Sequence, residues 1–319
     1  MACIIFVILL ISCNTENKER TSDRNDPGVV RSLLSVGEHR IEIDGVDLWY
    51  HVQGKGPVLI VYPSSAGWGG DASVYIEHLK PLEEYRTVIY LEPRGLGKSE
   101  RLDSLPDYSM NKYVKELESF RKKLQLQSID LLGHCYGGMI AIKYAIQYEQ
   151  HLKNLILIST TPTLKYPGYD EWEKNRPGYK AMVDRYAKIS ESGLTGEERI
   201  KEQMKSWYTI TFHDYDRHKD HFEKIMDRTI FSEMPLLQFQ QHDQANYDVV
   251  DSLDSISVST LILYGDDDFP PMVIGSRVMH EKMINSEWVE FKDCSHWCFI
   301  EKPDEFFSNT IHFLNHQEL

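Results

Sequence analysis

Near its middle the chain passes from a β-like run into a helical pattern with almost no loop between them. Ser128–Leu132 reads as a strand and Tyr136–Tyr148 as a helix, and Gly133-His134-Cys135-Tyr136-Gly137-Gly138 makes the turn. Two glycines four apart arise by chance about once or twice in a chain this long. The strand-to-helix context is what constrains the fold. So sharp a turn strains the backbone of its apex residue and requires small neighbours on both sides. The apex is Cys135, which is left projecting above the end of a strand, at a helix N-terminus.

The flanking patterns give the fold class. His39–Ile43 and Val46–Gln53 are short β-like runs joined by Asp44-Gly45, a hairpin signal. Pro57–Tyr62 is a continuous apolar run, as expected of a strand covered on both faces, and Arg86–Leu91 is another, while Leu152–Ser159, Thr260–Tyr264 and Glu287–Phe291 read as further strands. Helical periodicity appears at Met110–Gln125, with Tyr113, Leu117, Phe120 and Leu124 on one face, and again at Pro271–Met283 and Pro303–Leu314. Strand alternating with helix predicts an α/β fold, a mostly parallel sheet flanked by helices. From Pro162 to about Asp251 the chain turns polar, aromatic-rich and helix-patterned, without a strand run. That stretch reads as a helical insertion after the sixth strand. The expected organisation is a leader at 1–13, a tether at 14–36, a core at 37–161 and 253–319, and a helical cap at 162–252.

Composition excludes some classes. With 319 residues, 41% hydrophobic and 26% charged, the chain is ordinary globular material. A net charge of −14 opposes sequence-independent nucleic-acid binding. No run approaches the ~20 apolar residues of a spanning helix. Cys3–Ile11 is apolar throughout and ends at Leu10-Ile11-Ser12-Cys13, which resembles the lipobox of bacterial lipoproteins, although no Lys or Arg precedes it. The resemblance implies lipidation at Cys13, a cell-envelope location facing the periplasm or exterior, and contact with membrane only through that anchor. The alternative is a buried N-terminal strand in a cytoplasmic protein. Five cysteines are too few for a disulfide scaffold. Cys294 and Cys298 bracket His296, but C-x-H-x-C lacks the second ligand pair of a structural zinc site.

Four segments, in order, resemble the α/β-hydrolase superfamily, and within it the proline-iminopeptidase and esterase-like branch. G-H-C-Y-G-G looks like the family's G-H-S-x-G-G with cysteine for serine. Pro63–Gly69 stands where the family has H-G-G-P-G, and Glu92–Ser99 resembles D-x-R-G-x-G-x-S. Gly265-Asp266-Asp267-Asp268 and Ser295-His296 fall where its acid and histidine lie. The resemblance covers about residues 38 to 316 and implies the following roles. Cys135 is the nucleophile, His296 the general base and then acid, and Asp268 the orienting acid, with Asp266 and Asp267 as rivals. A free thiol is only a few per cent thiolate at neutral pH. An adjacent histidine and the positive end of a helix favour the charged form, so a Cys135–His296 ion pair is expected. The oxyanion donors would be the N–H of Tyr136 and of Ser65, with Ser64 next. Arg94, Gly95 and Gly97 are read as structural. Trp68, Trp207 and Trp297 are candidate pocket residues, with Trp172 and Tyr208 beside them, and the His213–His221 patch reads as a solvated helix face. The expected substrate is a small ester, lactone or amide, cleaved without metal or organic cofactor. A prolyl aminopeptidase, for which Glu171 and Glu173 could hold an ammonium, an acyltransferase and a non-catalytic binding protein are the alternatives.

Overall fold

The computed structural model describes residues 32–64 and 70–316. The Cys13 lipidation site therefore lies outside the described residues, as do Ser65 and Trp68. Eight strands form one sheet: β1 Gly37–Ile43, β2 Val46–Gly54, β3 Val58–Tyr62, β4 Thr87–Glu92, β5 Ile129–His134, β6 Leu152–Ile158, β7 Thr260–Gly265 and β8 Ser286–Phe291, in the order β1-β2-β4-β3-β5-β6-β7-β8. β2 runs antiparallel to both β1 and β4, and the other pairings are parallel. The β1–β2 hairpin turns at Asp44 and Gly45, both with positive φ, which places Ile43 opposite Val46. β5 and β7 are buried at every residue, as expected of strands covered on both faces.

Helices cover both faces. Those of six or more residues among the described residues are α1 Ser73–His78, α2 Met110–Lys123, α3 Tyr136–Tyr148, then five in the insertion, then α9 Pro270–Lys282 and α10 Pro303–His316. The five are α4 Tyr169–Asn175, α5 Tyr179–Glu191, α6 Gly196–Trp207, α7 Tyr215–Arg228 and α8 Glu233–Gln238, followed by a π-helical turn at Phe239–Asp243. Helix α1 carried no periodic signal in the sequence. In the former His213–His221 patch, Asp214 caps α7, which buries Phe222, Ile225 and Met226. The insertion leaves and rejoins the core at one place. Thr163 bridges Asp248, Val249 N–H donates to Pro162 O (3.0 Å), and the Tyr247 hydroxyl donates to Thr161 O (3.0 Å).

Two buried ion pairs fix the layers. Arg94 Nε donates to Glu116 on α2 (2.6 Å), so the turn after β4 is tied to a helix face. In the same turn Gly95 has φ +78, and a Cβ there would strike the Tyr108 ring. Arg86 Nε donates to Asp130 of β5 (2.9 Å) and its Nη2 to Leu314 O of α10 (2.6 Å), while Asn154 donates to the other Asp130 oxygen (2.7 Å). Removing one member strands the other charge in a dry core. Arg86→Met should therefore lower unfolding free energy by about 3–5 kcal/mol, measurable by urea denaturation. A loss under about 1 kcal/mol would show the pair to be dispensable.

Candidate active site

Loops at the carboxyl ends of β5, β7 and β8 bring Cys135, Asp268 and His296 together. They lie beside the point where the strand order reverses, the usual crevice of an open parallel sheet. All three side chains are buried, at 2%, 2% and 1% exposure.

Cys135 is the apex of the turn, with φ 54° and ψ −119°. A non-glycine residue held there stores roughly 1–3 kcal/mol of strain. Its peptide is pinned on both sides. Its N–H donates to Ile158 O of β6 (2.9 Å), and its carbonyl accepts from Gly138 N–H (3.0 Å) and the Thr160 hydroxyl (2.7 Å). A side chain at Gly137 would meet the carbonyls of Tyr62 and Pro63, and one at Gly138 would meet Thr160. These are the close approaches the flanking glycines permit.

His296 Nδ1–H donates to Asp268 Oδ1 at 2.9 Å, and that oxygen also accepts the Phe269 N–H at 2.7 Å. The rivals are engaged elsewhere. Asp267 holds Arg176 and His213, and Asp266 pairs with Lys292 at 3.6 Å. The Phe269 ring stacks on His296 with centroids 4.4 Å apart and an interplanar angle of 21°. Burial opposes charge on His296, but the Asp268 carboxylate and the contact with Cys135 outweigh it and push its pKa up to about 10. The His296 main chain is tied to the insertion, its N–H donating to Thr211 O at 3.1 Å.

Tyr136 opens α3, so its N–H has no intrahelical acceptor and is available to an oxyanion over Cys135. Its hydroxyl donates to Asp243 in the π-helical turn (3.2 Å). The amide of Ser64, the second choice for the other donor, is taken, donating to the Tyr75 hydroxyl (2.7 Å), and Ser65, the first choice, lies outside the described residues.

Cys135 and Tyr136 form the floor of a cavity of about 310 Å³. Its walls are Met139, Leu164, Tyr169, Trp207, Phe239, Phe269, Pro271 and Met272, and Asp170, Gln240 and Gln244 are the polar members. Trp207 thus lies where the sequence suggested. Trp297 does not line this cavity. Its indole N–H donates to Thr211 Oγ1 (2.8 Å) and its ring packs among Tyr208, Phe212 and Phe222, so it joins the histidine loop to the insertion. Trp172 packs against Phe269, 4.9 Å between centroids, outside the cavity. Neither Glu171 nor Glu173 reaches the wall; Asp170 is its acid. Phe269 and Thr211 escaped the sequence reading. Phe269 could have been suspected as the neighbour of Asp268, whereas Thr211 carries no local signal.

A family model of the alpha/beta hydrolase fold matches residues 57–303. The proline iminopeptidase of Lactobacillus helveticus is 28% identical over 291 residues, which span 86% of this chain and 96% of that protein. Among solved structures, the meta-cleavage product hydrolase of Pseudomonas fluorescens IP01 superposes with a TM-score of 0.70 at 21% identity, covering 87% of this chain and 97% of that one. The enol-lactonase of Burkholderia xenovorans LB400 gives a TM-score of 0.68 at 17% identity, covering 87% and 100%. At these identities the two structures speak to the fold alone.

Proposed function

The chain belongs to the alpha/beta-hydrolase family, and from that premise we propose that it cleaves a small ester, lactone or amide through an S-acyl intermediate on Cys135. The observation that carries this reading is a strained cysteine apex in contact with a histidine whose far nitrogen is held by a buried carboxylate. In the first half-reaction the thiol proton already rests on His296 Nε2 as the ion pair, and the Cys135 sulfur attacks the carbonyl carbon. The π pair moves to oxygen, which the N–H groups of Tyr136 and Ser65 would hold. Collapse expels the alcohol or amine, which leaves with the proton from His296. Water then gives a proton to His296 and attacks the thioester, the C–S bond breaks, and the ion pair is restored.

The cavity favours a compact, largely apolar acyl group, since about 310 Å³ is at the low end for ligand pockets. Peptide mapping after incubation with activated esters, lactones and amino-acid amides tests the reading. An acyl adduct on Cys135 that persists in His296→Ala supports it. Turnover with no adduct on Cys135, or no turnover on any substrate, would refute it. An aminopeptidase reading draws support from the proline iminopeptidase relatives and from Asp170 in the cavity wall. Cleavage of prolyl amides with a KM that rises in Asp170→Asn would favour it.

The raised His296 pKa sets a pH signature. Imidazolium is required beside the thiolate, so acylation should stay fast above the ordinary histidine range and fall only as pH rises through about 10. A stopped-flow profile whose alkaline limb lies near the unperturbed value of about 6.5 would contradict the ion pair.

A further inference from the structure

The contacts of His296 leave one nitrogen for chemistry. Nδ1–H is on Asp268, the ring face is on Phe269, and the main-chain N–H is on Thr211. The main-chain carbonyl is held as well, and its donor is the residue preceding the nucleophile. His134 Nε2 lies 3.0 Å from His296 O, and His134 Nδ1 lies 2.9 Å from the Tyr75 hydroxyl. Both His134 and Tyr75 are buried, at 0% and 2% exposure.

The partners determine the tautomer. A carbonyl only accepts, so Nε2 of His134 carries the hydrogen and Nδ1 is bare. Nδ1 must then accept the Tyr75 proton, and the Tyr75 oxygen accepts the N–H of Ser64 at 2.7 Å. The result is one directed chain running from Ser64 N–H through the Tyr75 hydroxyl and the His134 ring to the His296 carbonyl. It connects the loop after β3 to the loop after β8, beneath Cys135.

We propose that Tyr75 and His134 are positioning residues that fix the main chain of His296, and through it the aim of Nε2 at the Cys135 sulfur. The inference rests on the thiol-hydrolase reading. Burial and the neighbouring His296, whose ring centroid is 4.7 Å away, hold His134 well below the usual histidine range. The ring therefore stays neutral and the direction of the chain is kept. A ring that merely filled space among Tyr75, Trp297 and Phe299 would need neither nitrogen.

The experiment compares His134→Leu, His134→Gln and Tyr75→Phe with the wild-type full-length chain. Cys135 is followed by peptide mapping during reaction with p-nitrophenyl acetate and with iodoacetamide, from about pH 5 to about pH 10. His134→Leu and Tyr75→Phe should slow acylation by about 10- to 100-fold with little change in KM, and should slow alkylation most below pH ~7. His134→Gln should recover most of the loss, because its amide can donate to the His296 carbonyl and accept from Tyr75. Were His134→Leu unable to fold, Tyr75→Phe, which removes one hydroxyl, decides. Acylation at the wild-type rate in the folded Leu or Phe variant, or a Gln variant as slow as Leu, would overturn the relay alone. A wild-type Cys135 that takes up no acyl group would overturn the thiol-hydrolase reading and the relay with it.

Discussion

Cys135→Ala should abolish turnover, by roughly a millionfold in kcat, and leave a folded protein that still admits substrate; steady-state kinetics and adduct mass are the measurements. The expected size follows from the absence of a substitute. The other two thiols among the described residues, Cys294 and Cys298, are buried with 0% exposure, and neither lines the cavity. No second thiol lines the wall to form a thioester in place of Cys135. Stability should change by no more than about 1 kcal/mol, because alanine keeps the Cβ and the substitution deletes only sulfur. The strained peptide and its bonds to Ile158, Gly138 and Thr160 are main-chain features that survive. A variant retaining more than about one part in a thousand of wild-type kcat would exclude covalent catalysis at this residue.

Asp268→Asn should be the next largest loss, about 10³- to 10⁴-fold in kcat. The geometry isolates the charge as the cause. Asp268 Oδ1 accepts from both His296 Nδ1 and Phe269 N–H, so an asparagine is held with its carbonyl oxygen there and the His296 tautomer is retained. Its amide then occupies the place of Oδ2, which is buried and has no hydrogen-bond partner among the described residues. The carboxylate is the largest contribution favouring the imidazolium against burial. Without it the alkaline limb should move from about 10 toward the unperturbed histidine value of about 6.5. The same pH profile that measures the wild type checks this. A variant with lowered kcat but an unmoved limb would mean that Asp268 orients the ring without stabilising its charge.

Much of the fold was legible because burial on both faces leaves a sheet no choice of residue type. β3 is apolar from end to end, β7 is buried at every residue, and the Asp44-Gly45 turn marks the hairpin. Cys135 was legible because a strand-to-helix turn needs glycine at specific neighbours. What was hidden depends on partners distant in sequence. Asp266, Asp267 and Asp268 are chemically alike, and Lys292, Arg176 and His213 are what remove the first two. Trp207 and Trp297 are both aromatic and buried, yet only one faces the cavity, a distinction made by Thr211 in the insertion. Helix α1 is only six residues long, too short to declare a period, although it carries Tyr75.

The insertion departs and returns through adjacent residues, with Thr163 bridged to Asp248. For the sheet, the intervening segment is a closed loop whose ends are already together. The entropy of closing such a loop grows only with the logarithm of its length, about 0.6 kcal/mol for each doubling. The core can thus accept insertions of very different size at nearly constant stability, leaving evolution free to reshape the cavity roof. One residue of that insertion is not interchangeable in this way. Thr211 holds the main chain of His296, so any replacement segment must supply a carbonyl at the same point in space.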